Sequence, residues 1–320
     1  MNPVSALIFG ILALALAGPV PALLSRARWT HRAPRASLVL WQAVAIAAVL
    51  SAFSAGLAIA SRLLVPGVDG RPTTAPIDEI DVLGWPLWLL YVLVLTATLV
   101  VGGRLIFSVA RVGFHTRRRR SRHRMLVDML DCPLDETRRP ASAALRVLGS
   151  PQPVAYCLPG LRRRIVMSEG TFDALDDSEV SAVLEHERAH LRARHDLVLE
   201  AFTVVYRAFP RFVRSGSALG SVQLLVEMLA DDSARRTAGT TPLARALVAC
   251  AGGEAPAGAL AIGGPDTLVR VTRLRDRNDR RISALTYAGA AAVLVVPTIA
   301  VAVPWLTELH RLLGPASPLR

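Results

Sequence analysis

The chain has 320 residues, a hydrophobic share of 52% and a mean hydropathy of +0.40, values high for a water-dissolved protein that point to membrane-spanning sequence. All 37 basic residues are arginine, which excludes chemistry that needs lysine: a phosphate-loop lysine, a Schiff base, a Ser-Lys dyad and acylation at S-x-x-K. The formal charge is +12, and Cys132, Cys157 and Cys250 are too widely spaced, with no C-x-x-C pair, for a disulfide framework or a zinc ribbon.

In chain order, the stretches 4–24, 38–60, 82–103 and 285–305 are apolar for the ~20 residues that a bilayer crossing takes. The first has nothing basic ahead of it and runs through Gly18-Pro19-Val20-Pro21 without a convincing cleavage site. It reads as a retained helix kinked at the prolines, not as a signal peptide. The loop after it carries Arg26, Arg28, Arg32 and Arg35 and no acid, whereas the loop after the second stretch carries Asp69, Asp78, Glu79 and Asp81 against Arg62 and Arg71. Arginine excess marks the cytoplasmic side, so the first loop is expected inside and the amino terminus outside. Arg104, Arg111 and the run 117–124 follow the third stretch, and Arg270, Arg273, Arg275, Arg277, Arg280 and Arg281 precede the fourth. Beside a span such runs read as topology determinants that also touch anionic lipid headgroups, in preference to nucleic-acid contacts.

These flanks divide the chain into a membrane part at 1–124, a region at 125–279 long enough for a compact domain, and a last span with a short tail at 280–320. Within the middle region, 153–157 and 161–169 read as two short strands joined by the Pro159-Gly160 turn. Asp176 followed by Glu179 has the form of a helix N-cap box, and Val180, Val183, Leu184 and Leu191 recur at helical spacing, which predicts a helix over 177–194. A second apolar-periodic helix is expected over 221–237, and the Gly/Ala/Pro-rich stretch 252–265 reads as a loop returning to the membrane.

On the first of these helices His186 and His190 are four residues apart, so their imidazoles share a face and suit two ligands of one zinc ion. Glu187, next to the first histidine, is placed to reach the attacking water instead of the metal, as a general base requires. His186-Glu187-Arg188-Ala189-His190 thus matches H-E-x-x-H, against the alternative of a solvated polar helix face. Two residues compete as third ligand. Asp196 has the spacing of H-E-x-x-H-x-x-G-x-x-H/D, but Ala193 stands where that pattern needs a turn-forming glycine, so the helix is expected to continue and carry Asp196 away. Glu227 and Asp231 are four apart on the second helix, where one can bind zinc while the other accepts a hydrogen bond from a ligand histidine. Spacing favours Glu227. His31, His115, His123 and His310 have no partners at ligand spacing, and His195 reads as a helix-end residue off the metal-facing side.

Four spans, "HERAHLRARHD" and the downstream "EMLAD" together resemble the BlaR/MecR-type membrane metallopeptidases, antirepressors of bacterial β-lactam resistance. The resemblance covers nearly the whole chain. It implies a mainly α membrane protein of the bacterial inner membrane, with four transmembrane helices and a cytoplasmic α+β gluzincin-like zinc protease domain inserted between the third and fourth. It implies one Zn²⁺ per chain held by His186, His190 and Glu227, with Glu187 as general base, Asp231 as hydrogen-bond acceptor behind the ligands, and Asp196 as a structural residue of the helix end. A winged-helix repressor of the BlaI/MecI kind is the implied protein partner, with self-cleavage during activation and no direct nucleic-acid contact. The chain departs from members that sense β-lactams: about fifteen residues follow Trp305 and no lysine exists for S-x-x-K, so it resembles the short, sensor-less actinobacterial members. Two other functions remain open: an HtpX-like or prenyl-protein-processing membrane protease, and a non-catalytic signalling scaffold. Substrate is expected to pair with an edge strand near 164–168.

Overall fold

A computed structural model of the chain describes residues 3–63, 65–66, 72–73, 76–132, 144–208, 216–251, 260–261, 266–276 and 279–313. It begins with α1 (Pro3–Ala17) and α2 (Pro19–Arg26), which meet at a kink because Pro19 has no N–H to continue the helix and Gly18 leaves helical geometry, at φ −114° and ψ −83°. A 3-10 turn at Arg28–Arg32 leads into α3 (Pro34–Ala60). On its far side lie the small hairpin β1 (Val65–Pro66) and β2 (Pro72–Thr73) and the short α4 (Pro76–Leu83), where Glu79 accepts a 2.7 Å hydrogen bond from the Trp88 indole. Next comes α5 (Trp85–Met129), and the chain closes with α12 (Arg280–Leu313). Among the described residues, four segments are long and apolar enough to cross a membrane: Leu7–Arg26, Pro34–Ala60, Trp85–Met129 and Arg280–Ile299. They group around α3, which packs against α1, α5 and α12. Where α3 and α5 cross, Gly56 lies so close to the Thr98 side chain that any Cβ there would collide with it.

The apolar stretch 82–103 is only part of α5, which runs unbroken for 45 residues through the arginine run to Met129. Hydropathy ends at Gly103 while helix propensity does not, since arginine is a good helix former. The last turns of α5 cover one face of a sheet of strand order β3-β5-β4-β6. The strands are β3 (Leu145–Leu148), β4 (Ala155–Leu158), β5 (Arg164–Ser168) and β6 (Leu260–Ala261), with β3 parallel to β5 and β4 antiparallel to both β5 and β6. The expected β4–β5 hairpin is present, turning through Gly160 at φ +142°. Period-two alternation sends Ile165 and Met167 to one face and Val166 to the other, where it meets Tyr156, Leu158 and Val127 of α5. Because β5 is hydrogen-bonded on both sides, 164–168 is an interior strand and has no free edge for a substrate. Within the stretch read as a plain loop, Leu260–Ala261 form β6 on the outer edge of β4.

The opposite sheet face receives α6 (Glu169–Ala174) and α7 (Asp177–Ala193). The capping box is present, with the Glu179 N–H donating to Asp176 Oδ1 at 2.9 Å and the Asp176 N–H donating to Glu179 Oε2 at 3.1 Å. Val180, Val183, Leu184 and Leu191 are buried, each side chain contributing about 1.5–3 kcal/mol of apolar burial. The helices α8 (His195–Ala208), α9 (Gly216–Ala238), α10 (Thr240–Ala249) and α11 (Thr267–Arg273) complete the domain. Its core is continuous with the apolar helices, since Leu38 and Trp41 of α3 are buried among Phe202, Val222, Leu225 and Met228.

Candidate metal centre

Helical spacing puts His186 and His190 one turn apart on the buried side of α7, with their Nε2 atoms 3.1 Å apart. Glu227 of α9 reaches between them, its Oε2 3.3 Å from His186 Nε2 and its Oε1 3.5 Å from His190 Nε2. Three donors about 2.0–2.2 Å from one tetrahedral centre lie about 3.3–3.6 Å from one another, so this set has the spacing of a zinc site. Among the described residues no other group of three His, Cys, Asp or Glu side chains offers ligand atoms so close together. Beside it, both carboxylate oxygens of Glu187 are fully buried and, apart from the Cys157 thiol on β4, meet no hydrogen-bonding side chain. Burial raises the Glu187 pKa above the ordinary carboxylate value, against the opposing pull of His186 and His190. An orphaned buried carboxylate next to two imidazoles and a second carboxylate fits a metal ion with a polarised water better than a closed structural cluster.

The histidines are held from behind. His186 Nδ1 is 3.0 Å from Asp231 Oδ1, and this partner together with Glu227 outweighs the effect of burial and lifts the imidazole pKa to about 9 when no metal is bound. A metal must therefore displace a proton from His186. Asp231 in turn accepts two hydrogen bonds from Arg270 of α11, from Nε at 2.8 Å and Nη2 at 2.7 Å. Arg270, only 2% exposed, also places Nη1 3.1 Å from Glu227 Oε2, so one guanidinium clamps both carboxylates. Burial opposes charge on Glu227 and Asp231, yet Arg270, with His190 beside Glu227, keeps both below their ordinary pKa values. Three residues along α11, Arg273 makes a parallel pair with Asp232 at 2.9 Å from two nitrogens and donates to the His31 carbonyl at 2.7 Å. Arg270 and Arg273 are thus buried structural cations, where the sequence had suggested exposed topology determinants.

The end of α7 also differs from expectation. The helix does not continue past Ala193, because Arg194 adopts the left-handed conformation at φ 53° and starts a second helix without any glycine. This turn brings His195 back to the site, with its Nδ1 3.1 Å from His190 Nδ1. Burial first, and then the neighbouring His190, hold the His195 pKa down to about 3; a metal on His190 Nε2 would leave its Nδ1–H to donate to His195 Nδ1. Spacing on a continuous helix had hidden this role. Replacing His195 with Ala is expected to weaken zinc binding about 10–100-fold, read by competition with a chelator, and unchanged affinity would show that His190 needs no such support.

Asp196 does not join the cluster. Its carboxylate, 3% exposed, pairs at 3.0 Å with Arg120 of α5, which also binds Glu200 at 2.7 Å. Asp196→Asn is therefore expected to keep a full complement of zinc whereas Glu227→Gln loses it; elemental analysis of the two purified variants separates the two candidate ligands, and the reverse result would restore Asp196. On α5, His123 Nε2 lies 3.0 Å from the Tyr156 hydroxyl and Arg124 donates to the Pro159 carbonyl at 3.0 Å. Part of the arginine run thus fastens the metal domain to the long helix, in addition to any contact with lipid.

No curated protein and no solved structure matches the chain. A family model does: that of Peptidase family M48 matches residues 116–278, from the last turns of α5 to just before α12, which is just over half of the sequence. The matched segment contains the whole His186, His190 and Glu227 cluster, the buried Glu187 and the Arg270 clamp. The chain belongs to peptidase family M48, a family of zinc-dependent metallopeptidases.

Proposed function

We propose that the protein is an integral-membrane zinc endopeptidase that hydrolyses peptide bonds at the cytoplasmic face of the bacterial inner membrane. The observation that carries this reading is the buried, otherwise unpartnered carboxylate of Glu187 beside the His186, His190 and Glu227 donors. Those three side chains would hold one zinc ion, which supplies Lewis acidity toward the scissile carbonyl and the attacking water. Glu187 takes a proton from that water as its oxygen bonds to the carbonyl carbon, then returns it to the amide nitrogen as the C–N bond breaks. Asp231 and His195 fix the two ring orientations, and Arg270 keeps Glu227 and Asp231 ionised. The arginine-rich first loop and the acidic second loop support an outside amino terminus and a cytoplasmic metal domain.

The specific substrate we propose is a winged-helix transcriptional repressor, whose inactivation would link a membrane signal to β-lactam resistance or envelope stress. This rests on the resemblance of the four-span arrangement to the antirepressor proteases. The competing enzyme reading is quality control of damaged membrane proteins. Comparing proteomes of cells with active protein and with the Glu187→Gln variant decides between them: a single stabilised repressor supports the first, and many stabilised membrane proteins the second. A scaffold without catalysis would leave both proteomes alike.

A further inference from the structure

Away from the metal centre, three arginines converge on one cavity of about 590 Å³: Arg104 and Arg111 of α5 and Arg207 near the end of α8, with Phe107, Ser108 and Val112 forming the rest of its wall. Residues 104, 107, 108 and 111 share one face of α5, and the two arginines are about 10 Å apart along its axis. The Ser108 hydroxyl donates to the Val204 carbonyl at 3.4 Å, holding α8 alongside so that Arg207 faces the same space. No carboxylate lines this cavity among the described residues. The apolar surface of α5 does not stop at Arg104, because Ile106, Phe107, Val109 and Phe114 remain more than half exposed beyond it. Gly102, just before Arg104, packs against Phe53 in the interior of α3, which places Arg104 level with apolar sequence on both helices. Like charges gathered at that depth repel one another in a poorly screening medium and persist where an anion meets them.

We propose that this cavity binds one anionic phospholipid of the cytoplasmic leaflet, with its phosphate held by Arg104, Arg111 and Arg207 and its acyl chains against the exposed apolar face of α5. The inference rests on the reading that α5 crosses the membrane. Guanidinium forks match phosphate oxygens in pairs, and a pocket between helices at the cytoplasmic interface is where headgroup recognition occurs. Arg118, Arg119 and Arg122 are exposed on the part of α5 beyond this cavity and supply a natural control.

The test uses the full chain in vesicles of phosphatidylcholine and phosphatidylglycerol, extracted in mild detergent, with bound lipid counted by native mass spectrometry. The wild type is expected to retain about one phosphatidylglycerol per chain. The Arg104→Gln/Arg111→Gln/Arg207→Gln variant should retain about tenfold less or lower still, while Arg118→Gln/Arg119→Gln/Arg122→Gln matches the wild type. Arg207→Gln alone should lower retention, and replacement of the cavity arginines by lysine should restore much of it, which separates lost binding from a lost fold. Equal retention in the cavity variant, equal loss in the control variant, or displacement of the lipid by inorganic phosphate would overturn the proposal. Failure of the membrane reading has its own signature, release of the wild-type chain from membranes by alkaline carbonate.

Discussion

Glu187→Gln is expected to lower peptide cleavage by about 10²–10⁴-fold, the contribution typical of general acid–base catalysis, while zinc content and fold are kept. The amide has the shape of the carboxylate but cannot accept the proton of the attacking water. Because burial disfavours the charged form of Glu187, replacing it by a neutral group removes a cost that the native fold carries. The metal-free variant should therefore melt no lower than the metal-free wild type. Elemental analysis, a melting curve and a cleavage assay on one preparation check all three parts. Undiminished cleavage would remove Glu187 from the mechanism, and lost zinc would make it a ligand.

Arg270→Met should have the largest effect on stability, about 3–5 kcal/mol, because it strands the buried carboxylate of Asp231 beside the partly exposed one of Glu227. Arg270 makes two hydrogen bonds to Asp231 and an ion pair with Glu227, and bound zinc would compensate only the second of these. Arg270→Lys keeps the charge but loses the planar fork, so an intermediate loss is expected. Combining Arg270→Met with Asp231→Leu should recover part of the stability lost in the single variant, since the unpaired charge is then gone. Denaturation of purified protein with and without zinc measures the series. A wild-type midpoint for Arg270→Met would show that the guanidinium does not hold the site together.

The metal helix was legible because its signals are local. The Asp176 and Glu179 cap, the period of Val180, Val183 and Leu184, and the four-residue step from His186 to His190 all act within one helix. Apolar periodicity exposed the second helix, on which the same step separates Glu227 and Asp231, and the Pro159-Gly160 turn exposed the β4–β5 hairpin. What escaped depends on contacts distant in sequence. Pairing β3 to β5 in parallel joins segments with no turn signal between them, and β6 is two residues long. Arg270 and Arg273 look like any arginine near a span until Asp231 and Asp232 of α9 are brought against them. His195 was misjudged for a different reason: the turn at Arg194 has no glycine to announce it, since the arginine itself takes up the left-handed backbone.

The unbroken course of α5 has a mechanical consequence. A helix of 45 residues is a rod of about 67 Å that runs without a break from its apolar end at Trp85 to the turns that carry Arg120, His123 and Arg124. Those side chains grip Asp196 at the start of α8, Tyr156 on β4 and the carbonyl of Pro159 in the turn after it. A tilt or rotation imposed on the rod at its far end is delivered to these three points together, as torque, and Asp196 stands one residue from the histidine that steadies His190.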